Sequence, residues 1–216
     1  MNIEQEALNL LKKTEAVISD SHIVGTSGRH MSIYINKDFL LPHTAETSRI
    51  CELMALKNKD LDVDIVASPV VAGAILGHEV AHHLSQIQGK EILAVYADKT
   101  EEGPLVFKRG YEDYVKGKNI LIIEDTVATG LSVHKMIDVV KQFGGNIQAM
   151  TVMVNRVPKE INSEILGVPF SSLCEILAET YDAADCPLCK AGVPINTKVG
   201  HGKKYLEEKA KQNAKV

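Results

Sequence analysis

Ile123-Glu124-Asp125-Thr126-Val127-Ala128-Thr129-Gly130 joins two adjacent acids to a turn of small residues, and its flanks say where in a fold the acids stand. Upstream, residues 119–123 are an almost unbroken apolar run, the pattern of a parallel strand buried on both faces. Downstream the period changes. Leu131, Val133, Met136, Ile137, Val140 and Phe143 recur at helical spacing, and Gly144-Gly145 supplies a stop. The acids therefore sit at the carboxyl end of a strand, and residues 126–132 wrap the start of a helix. In open α/β sheets that is where ligands bind.

The chemistry of the stretch has two halves. Amides freed at a helix N-terminus attract an anion, whereas paired carboxylates repel one and accept hydrogen bonds from hydroxyls. A phosphorylated sugar satisfies both. Its phosphate would rest on the amides of residues 128–132 with the Thr129 and Ser132 hydroxyls, and its vicinal diol would donate to Glu124 and Asp125. The plainer alternative is a strand, turn and helix with an Asp N-cap. Two other phosphate loops are excluded: the chain has no Gly-Lys-Ser/Thr of a P-loop, and no G-x-G-x-x-G follows any strand. The stretch resembles the phosphoribosyl diphosphate (PRPP) signature of type I phosphoribosyltransferases, which runs from four apolar residues through two acids to Thr-Gly and then Ser or Thr. Ala128 departs from it, standing where a second Thr is usual.

Composition fits a compact cytoplasmic enzyme. With 216 residues, 45% of them hydrophobic and 24% charged, the chain can bury a full core as one domain. A net charge of -4 argues against a nucleic-acid or membrane-surface binder. No apolar run approaches spanning length, and the amino-terminal segment, carrying Glu4, Glu6, Lys12 and Lys13, reads as an amphipathic helix rather than a signal peptide. Four cysteines in a chain this long do not make a disulfide scaffold.

Helices are expected at 3–19, 44–57, 73–86, 130–143 and from 203 onward, and strands at 63–67, 92–96, 120–123, 147–154 and 169–173. That alternation predicts an α/β fold with a central parallel sheet flanked by helices. Residues 21–41 break the pattern. Residues 22–24 and 32–35 read as a small antiparallel pair with its turn near 25–28, a cap beside the sheet.

Three further segments extend the resemblance. Ser68-Pro69-Val70-Val71-Ala72-Gly73 follows a buried strand and opens a helix, and its small residues let amides approach a ligand. It corresponds to the family's diphosphate loop, with Ala72 in place of the lysine of orotate enzymes, and the family's non-proline cis peptide falls between Val70 and Val71. Arg29 and His30, in Thr26-Ser27-Gly28-Arg29-His30, match a base-binding region in which Arg29 would clamp a ring carbonyl or carboxylate; His30 stands where lysine is usual. Asp98 to Tyr111, with Gly103-Pro104 at its centre, corresponds to the flexible catalytic loop, whose Lys99, Lys108 and Arg109 would stabilise departing diphosphate in the neighbouring subunit of a homodimer.

The tail holds Cys186-Pro187-Leu188-Cys189 followed by Gly192, a knuckle pattern for zinc that Cys174 and His201 would complete. The same ending resembles that of one bacterial branch of orotate phosphoribosyltransferases. The resemblance as a whole implies a type I phosphoribosyltransferase fold over residues 1–216, with a hood at 20–42 plus 174–202 and a core at 43–173. It implies transfer of ribose 5-phosphate from PRPP to a nucleobase, with Asp125 as the closest acid and Mg²⁺ held mainly through PRPP near Glu124 and Asp125. Orotate is the expected acceptor. A purine phosphoribosyltransferase is the alternative enzyme, and a PRPP-binding regulator the alternative from another class.

Overall fold

The computed structural model describes residues 2–25 and 27–213; Met1, Thr26 and residues 214–216 lie outside it. Helix α1 (Ile3–Lys13) is followed by four two-residue strands, β1 (Val17–Ile18), β2 (Ile23–Val24), β3 (His30–Met31) and β4 (Tyr34–Ile35), and by helices α2 (Lys37–Leu40) and α3 (Thr44–Lys57). The alternation then begins: β5 (Ile65–Pro69), α4 (Ala72–Gln88), β6 (Leu93–Lys99), β7 (Leu105–Phe107), α5 (Tyr111–Val115), β8 (Asn119–Val127), α6 (Leu131–Gln142) and β9 (Asn146–Asn155). The chain closes with α7 (Ser163–Leu166), β10 (Phe170–Glu175), β11 (Thr180–Tyr181), α8 (Pro187–Lys190) and α9 (Gly202–Asn213). Two compact units result, one of Met1–Thr14 with Lys37–Leu177 and one of Glu15–Asn36 with Ala178–Val216. The second unit begins earlier than the expected hood, at residue 15, and leaves 37–42 and 174–177 to the first.

In the first unit six strands form one sheet in the order β10-β9-β8-β5-β6-β7. All pairings are parallel except β6 with β7. The apolar runs are continuous because the sheet is covered on both faces. Every residue of β5 is buried, as are Ile120, Leu121, Ile122 and Ile123 of β8. Ile120 and Ile122 pack with Val133, Met136, Ile137 and Val140 of α6 in one cluster. By strand alternation Glu124 projects to that same face and Asp125 to the other.

Two expectations fail here for reasons of tertiary structure. Helix α1 stops at Lys13 rather than at residue 19, because Glu15 takes a left-handed φ of 56° and Val17–Ile18 pairs antiparallel with Tyr34–Ile35 in the second unit. The segment read as one loop from Asp98 is largely a hairpin: Asp98 and Lys99 pair with Val106 and Leu105, and the irregular parts are the turn at 100–104 and the short link at 108–110, where Arg109 and Gly110 take left-handed φ values.

In the second unit β11, β3 and β2 form a three-stranded antiparallel sheet. The expected hairpin forms with a different partner strand. Residues 23–24 pair with His30 and Met31 around a turn closed by the Gly25 amide on the Arg29 carbonyl at 2.8 Å, and the 34–35 strand goes to β1 instead. Among the described residues no helix is long and apolar enough to cross a membrane.

Candidate active site

Glu124 and Asp125 lie one residue apart inside β8, which runs on to Val127 before the bend at 128–130. The strand is longer than its apolar run because Thr126 and Val127 stay in register with Val154 and Asn155 of β9. Helix α6 then starts at Leu131. Its N-cap, Gly130, supplies no side-chain hydrogen bond to the first turn, so the leading amides are left for another acceptor. Gly130 sits at φ +78°, where any other residue is strained, and a Cβ there would lie 2.4 Å from Ile161 Cδ1, so a larger residue would force either the Ile161 side chain or the turn to shift. Ala128, Thr129, Leu131 and Ser132 are exposed, whereas the Val127 side chain is in the core and offers only its backbone.

The acids differ in setting. Glu124 is 5% exposed, accepts from the Ser132 hydroxyl and from the Asp125 amide at 2.9 Å, and would lie 3.4 Å from a Cβ built on Gly73. Burial, reinforced by the neighbouring Asp125 charge, pushes its carboxyl up to about 7. Asp125 accepts from the Thr126 amide and faces Lys37 of α2 at 3.8 Å. Burial raises its pKa as well, against the opposing pull of Lys37. Lys37 is a residue that the sequence reading missed. Its only signal was its place directly after Tyr34-Ile35-Asn36.

The β5–α4 turn stands next to this pair. The Val70–Val71 peptide is cis, as the loop pattern led us to expect. Helix α4 starts at Ala72, and Val71 provides no side-chain cap, so a second helix opens with uncommitted amides close to Glu124. Gly73 is required for that closeness, since a Cβ would lie 2.9 Å from Pro69 Cδ. Ser68 is 1% exposed with its hydroxyl under Gly77, so it contributes backbone rather than a ligand-facing side chain.

The expected loop cations divide. Lys99 and Lys108 are exposed and make no ion pair among the described residues. Arg109 is committed to Asp98 at 3.0 Å and the Tyr96 hydroxyl at 3.1 Å. Arg29, in the second unit, spends its fork on Thr180 and Asp182 at 2.8 to 3.0 Å.

The match to known proteins agrees with this geometry. A family model described as a phosphoribosyl transferase domain matches residues 38–164. The chain belongs to the phosphoribosyltransferase family. It is 34% identical over 192 residues to an orotate phosphoribosyltransferase of Thermoanaerobacter, covering 89% of this chain and 95% of the relative. It is 32% identical over 196 residues to one from Thermotoga maritima, covering 90% and 98%. Among solved structures, an orotate phosphoribosyltransferase of Mycobacterium tuberculosis in complex with PRPP superposes with a TM-score of 0.58 at 22% identity, covering 79% of this chain and 96% of that one. At that identity the structural likeness speaks for the fold.

One expected ligand set for this phosphoribosyltransferase is overturned. Cys174 lies in β10 of the first unit, buried, its thiol donating to the Met153 carbonyl at 3.6 Å. His201 stays exposed in the turn before α9. The groups that gather with Cys186 and Cys189 are His22 and His30, all four ligand atoms within 4.8 Å of one another. His30, expected at a base, is 0% exposed within this cluster. Strand pairing is the reason: with Val24 opposite His30, His22 falls diagonally across on the same face of the hairpin.

Proposed function

We propose that this phosphoribosyltransferase moves the 5-phosphoribosyl group of PRPP to orotate, giving orotidine 5'-phosphate and diphosphate. The observation that carries the proposal is the acid pair of β8 flanked by two helix starts without side-chain caps, because PRPP has a diol, a 5'-phosphate and a diphosphate to place on such a surface. The bond from the anomeric carbon to diphosphate breaks as a ring nitrogen of the base bonds to that carbon, which gains positive charge on the way. Glu124 and Asp125 would hold the diol and offset that charge. The amides of 128–132 and the Thr129 hydroxyl would hold the 5'-phosphate, joined by the Ser132 hydroxyl once it leaves Glu124, and the amides of residues 71–73 would hold the diphosphate, the Val70 amide being already given to the Ala97 carbonyl.

Glu124, Asp125 and the Ser132 hydroxyl offer oxygen ligands, as a hard cation requires, so the two acids fit Mg²⁺ carried mainly by PRPP. When bound, that ion would neutralise charge on the leaving diphosphate. Lys99 and Lys108, with no ion pair to give up among the described residues, are the cations most ready to join it, and Arg109 would first exchange Asp98 for the ligand. Arg29, whose fork already grips one carbonyl and one carboxylate, is the candidate for the base. The protein is proposed to work in the cytoplasm as a homodimer in which this loop serves the partner's site.

Two measurements test the reading. Incubation with PRPP, Mg²⁺ and, separately, orotate, adenine, guanine, hypoxanthine, xanthine or uracil should release diphosphate with orotate; turnover with a purine alone would redirect the assignment. Mixing Asp125→Asn with the Lys99→Ala, Lys108→Ala double variant under subunit exchange should restore about a quarter of wild-type activity, since half the molecules become mixed dimers with one intact site each. No recovery, with exchange shown independently, would mean that each loop serves its own chain.

A further inference from the structure

We propose that His22 Nε2, His30 Nδ1, Cys186 Sγ and Cys189 Sγ bind one zinc ion as a closed, four-coordinate structural site within the second unit. Zinc bonds of about 2.3 Å to sulfur and 2.0 to 2.1 Å to nitrogen, arranged tetrahedrally, set sulfur-to-nitrogen edges near 3.6 Å. The observed edges are 3.7 Å from Cys186 to His22, 3.7 Å from Cys189 to His22 and 3.4 Å from Cys189 to His30. Both cysteines are free thiols rather than a disulfide. Two soft and two borderline donors at tetrahedral spacing select zinc over the hard cations.

The surroundings prepare the donors. His22 Nδ1 lies 2.7 Å from the Val193 carbonyl, which fixes the proton on that nitrogen and turns the Nε2 lone pair toward the centre of the cluster. His30 Nδ1 stands 2.7 Å from His22 Nε2, close enough for one proton to lie between them. An ion would take the place of that proton, which moves to His30 Nε2, a buried atom without a hydrogen-bond partner among the described residues, and would spread the two nitrogens to about 3.3 Å. The two thiols lose their protons to solvent on binding, so the four ligands and the dication together carry no net charge. Gly192, at φ +69°, closes the knuckle with its amide on the Cys189 carbonyl at 3.1 Å.

The second unit has reason to need such a tie. Its described buried apolar side chains are few, Ala16, Ile23, Val24, Met31, Ile35 and Val199, and a unit with so small a core gains from another source of stability. The site joins the 22–30 hairpin to residues 186–189, which the chain separates by more than 150 positions.

The test uses the untagged full chain, purified from cells grown without added zinc and without chelator. Elemental analysis should find about one zinc per chain, and X-ray absorption should show two sulfurs near 2.3 Å and two nitrogens near 2.0 to 2.1 Å. Cys189→Ser and His22→Ala should each lower the content to under about a tenth, while Cys51→Ser and Cys174→Ser keep it. Should a variant fold poorly, Co²⁺ added to the metal-free wild-type chain decides independently, since a thiolate-to-cobalt absorption saturating at one equivalent is expected. Wild-type chain that arrives metal-free and takes up neither Zn²⁺ nor Co²⁺ would overturn the proposal. So would metal retained after both Cys186 and Cys189 are replaced by Ser, or a Cys186–Cys189 disulfide in freshly prepared protein.

Discussion

Ser132 reaches Glu124 across eight positions of sequence, whereas Cys189 reaches His22 across 167. The first contact belongs to one strand, one bend and one helix, and each part declares itself locally: an apolar run, two acids, small residues, then a change of period. The second depends on a hairpin register and on where the chain returns after the whole α/β core has been built. Local chemistry can be read from neighbours. Chemistry assembled over long distances needs the pairing of strands, which apolar pattern alone leaves open.

If the acid site is as self-contained as this contrast implies, damage to its turn should be severe there and silent elsewhere. Gly130→Ala is the harshest small change, because it combines a left-handed backbone with a Cβ 2.4 Å from Ile161. A displacement of about 1 Å at a reacting site costs on the order of a hundredfold. Steady-state kinetics should show that loss in kcat/KM for PRPP, while the reactivity of Cys186 and Cys189 toward a thiol reagent stays as in wild type. Altered thiol reactivity would mean that the two regions are coupled.

The fold and the site were legible to different depths. Helix α3 and strands β5, β8 and β9 follow from period and burial, and the acid pair, the Thr129-Gly130 turn and the cis bond at Val70 follow from the motif resemblance. Helix α1 was overrun because what ends it is a strand pairing with Tyr34–Ile35, invisible from residues 14–19. Cys174 was chosen as a ligand for its nearness in sequence to Cys186, although β10 carries it into the sheet of the other unit. His22 gave no signal of its own. The cations of the hairpin were read correctly as basic, but not that Arg109 was already paired with Asp98.

A second way to sharpen the comparison is pH. Glu124, raised to about 7 by burial, is partly protonated at neutral pH, and a diol needs the carboxylate as acceptor. PRPP binding should therefore release a proton, and affinity should rise about tenfold from pH 6 to pH 8, following the ionised fraction. For the free protein the sign is opposite. An acid with its folded pKa above the ordinary 4.5 adds stability at low pH that is lost as pH rises toward 7. Glu124→Gln should flatten both profiles; calorimetric titrations in buffers of different ionisation enthalpy give the proton count, and zero release at pH 7 would contradict this role.

The smallest expected effect concerns Lys37. Its pairing with Asp125 at 3.8 Å is partly exposed, and such pairs contribute about 0.2 to 1 kcal/mol. Lys37→Met should weaken PRPP binding about two- to fivefold at pH 7 and move the affinity profile to higher pH, because Asp125 loses the charge that holds its pKa down. An unchanged profile in fluorescence or calorimetric binding would return Lys37 to the solvated surface.

The most direct test of the acid pair is the kcat/KM for PRPP, with orotate as acceptor, of Asp125→Asn against wild type at pH 8. One charged hydrogen bond is worth about 1.5 to 3 kcal/mol, so the variant should lose at least tenfold while its melting temperature stays close to wild type. Equal kinetics in a properly folded Asp125→Asn protein would contradict the placement of the ribose diol on β8.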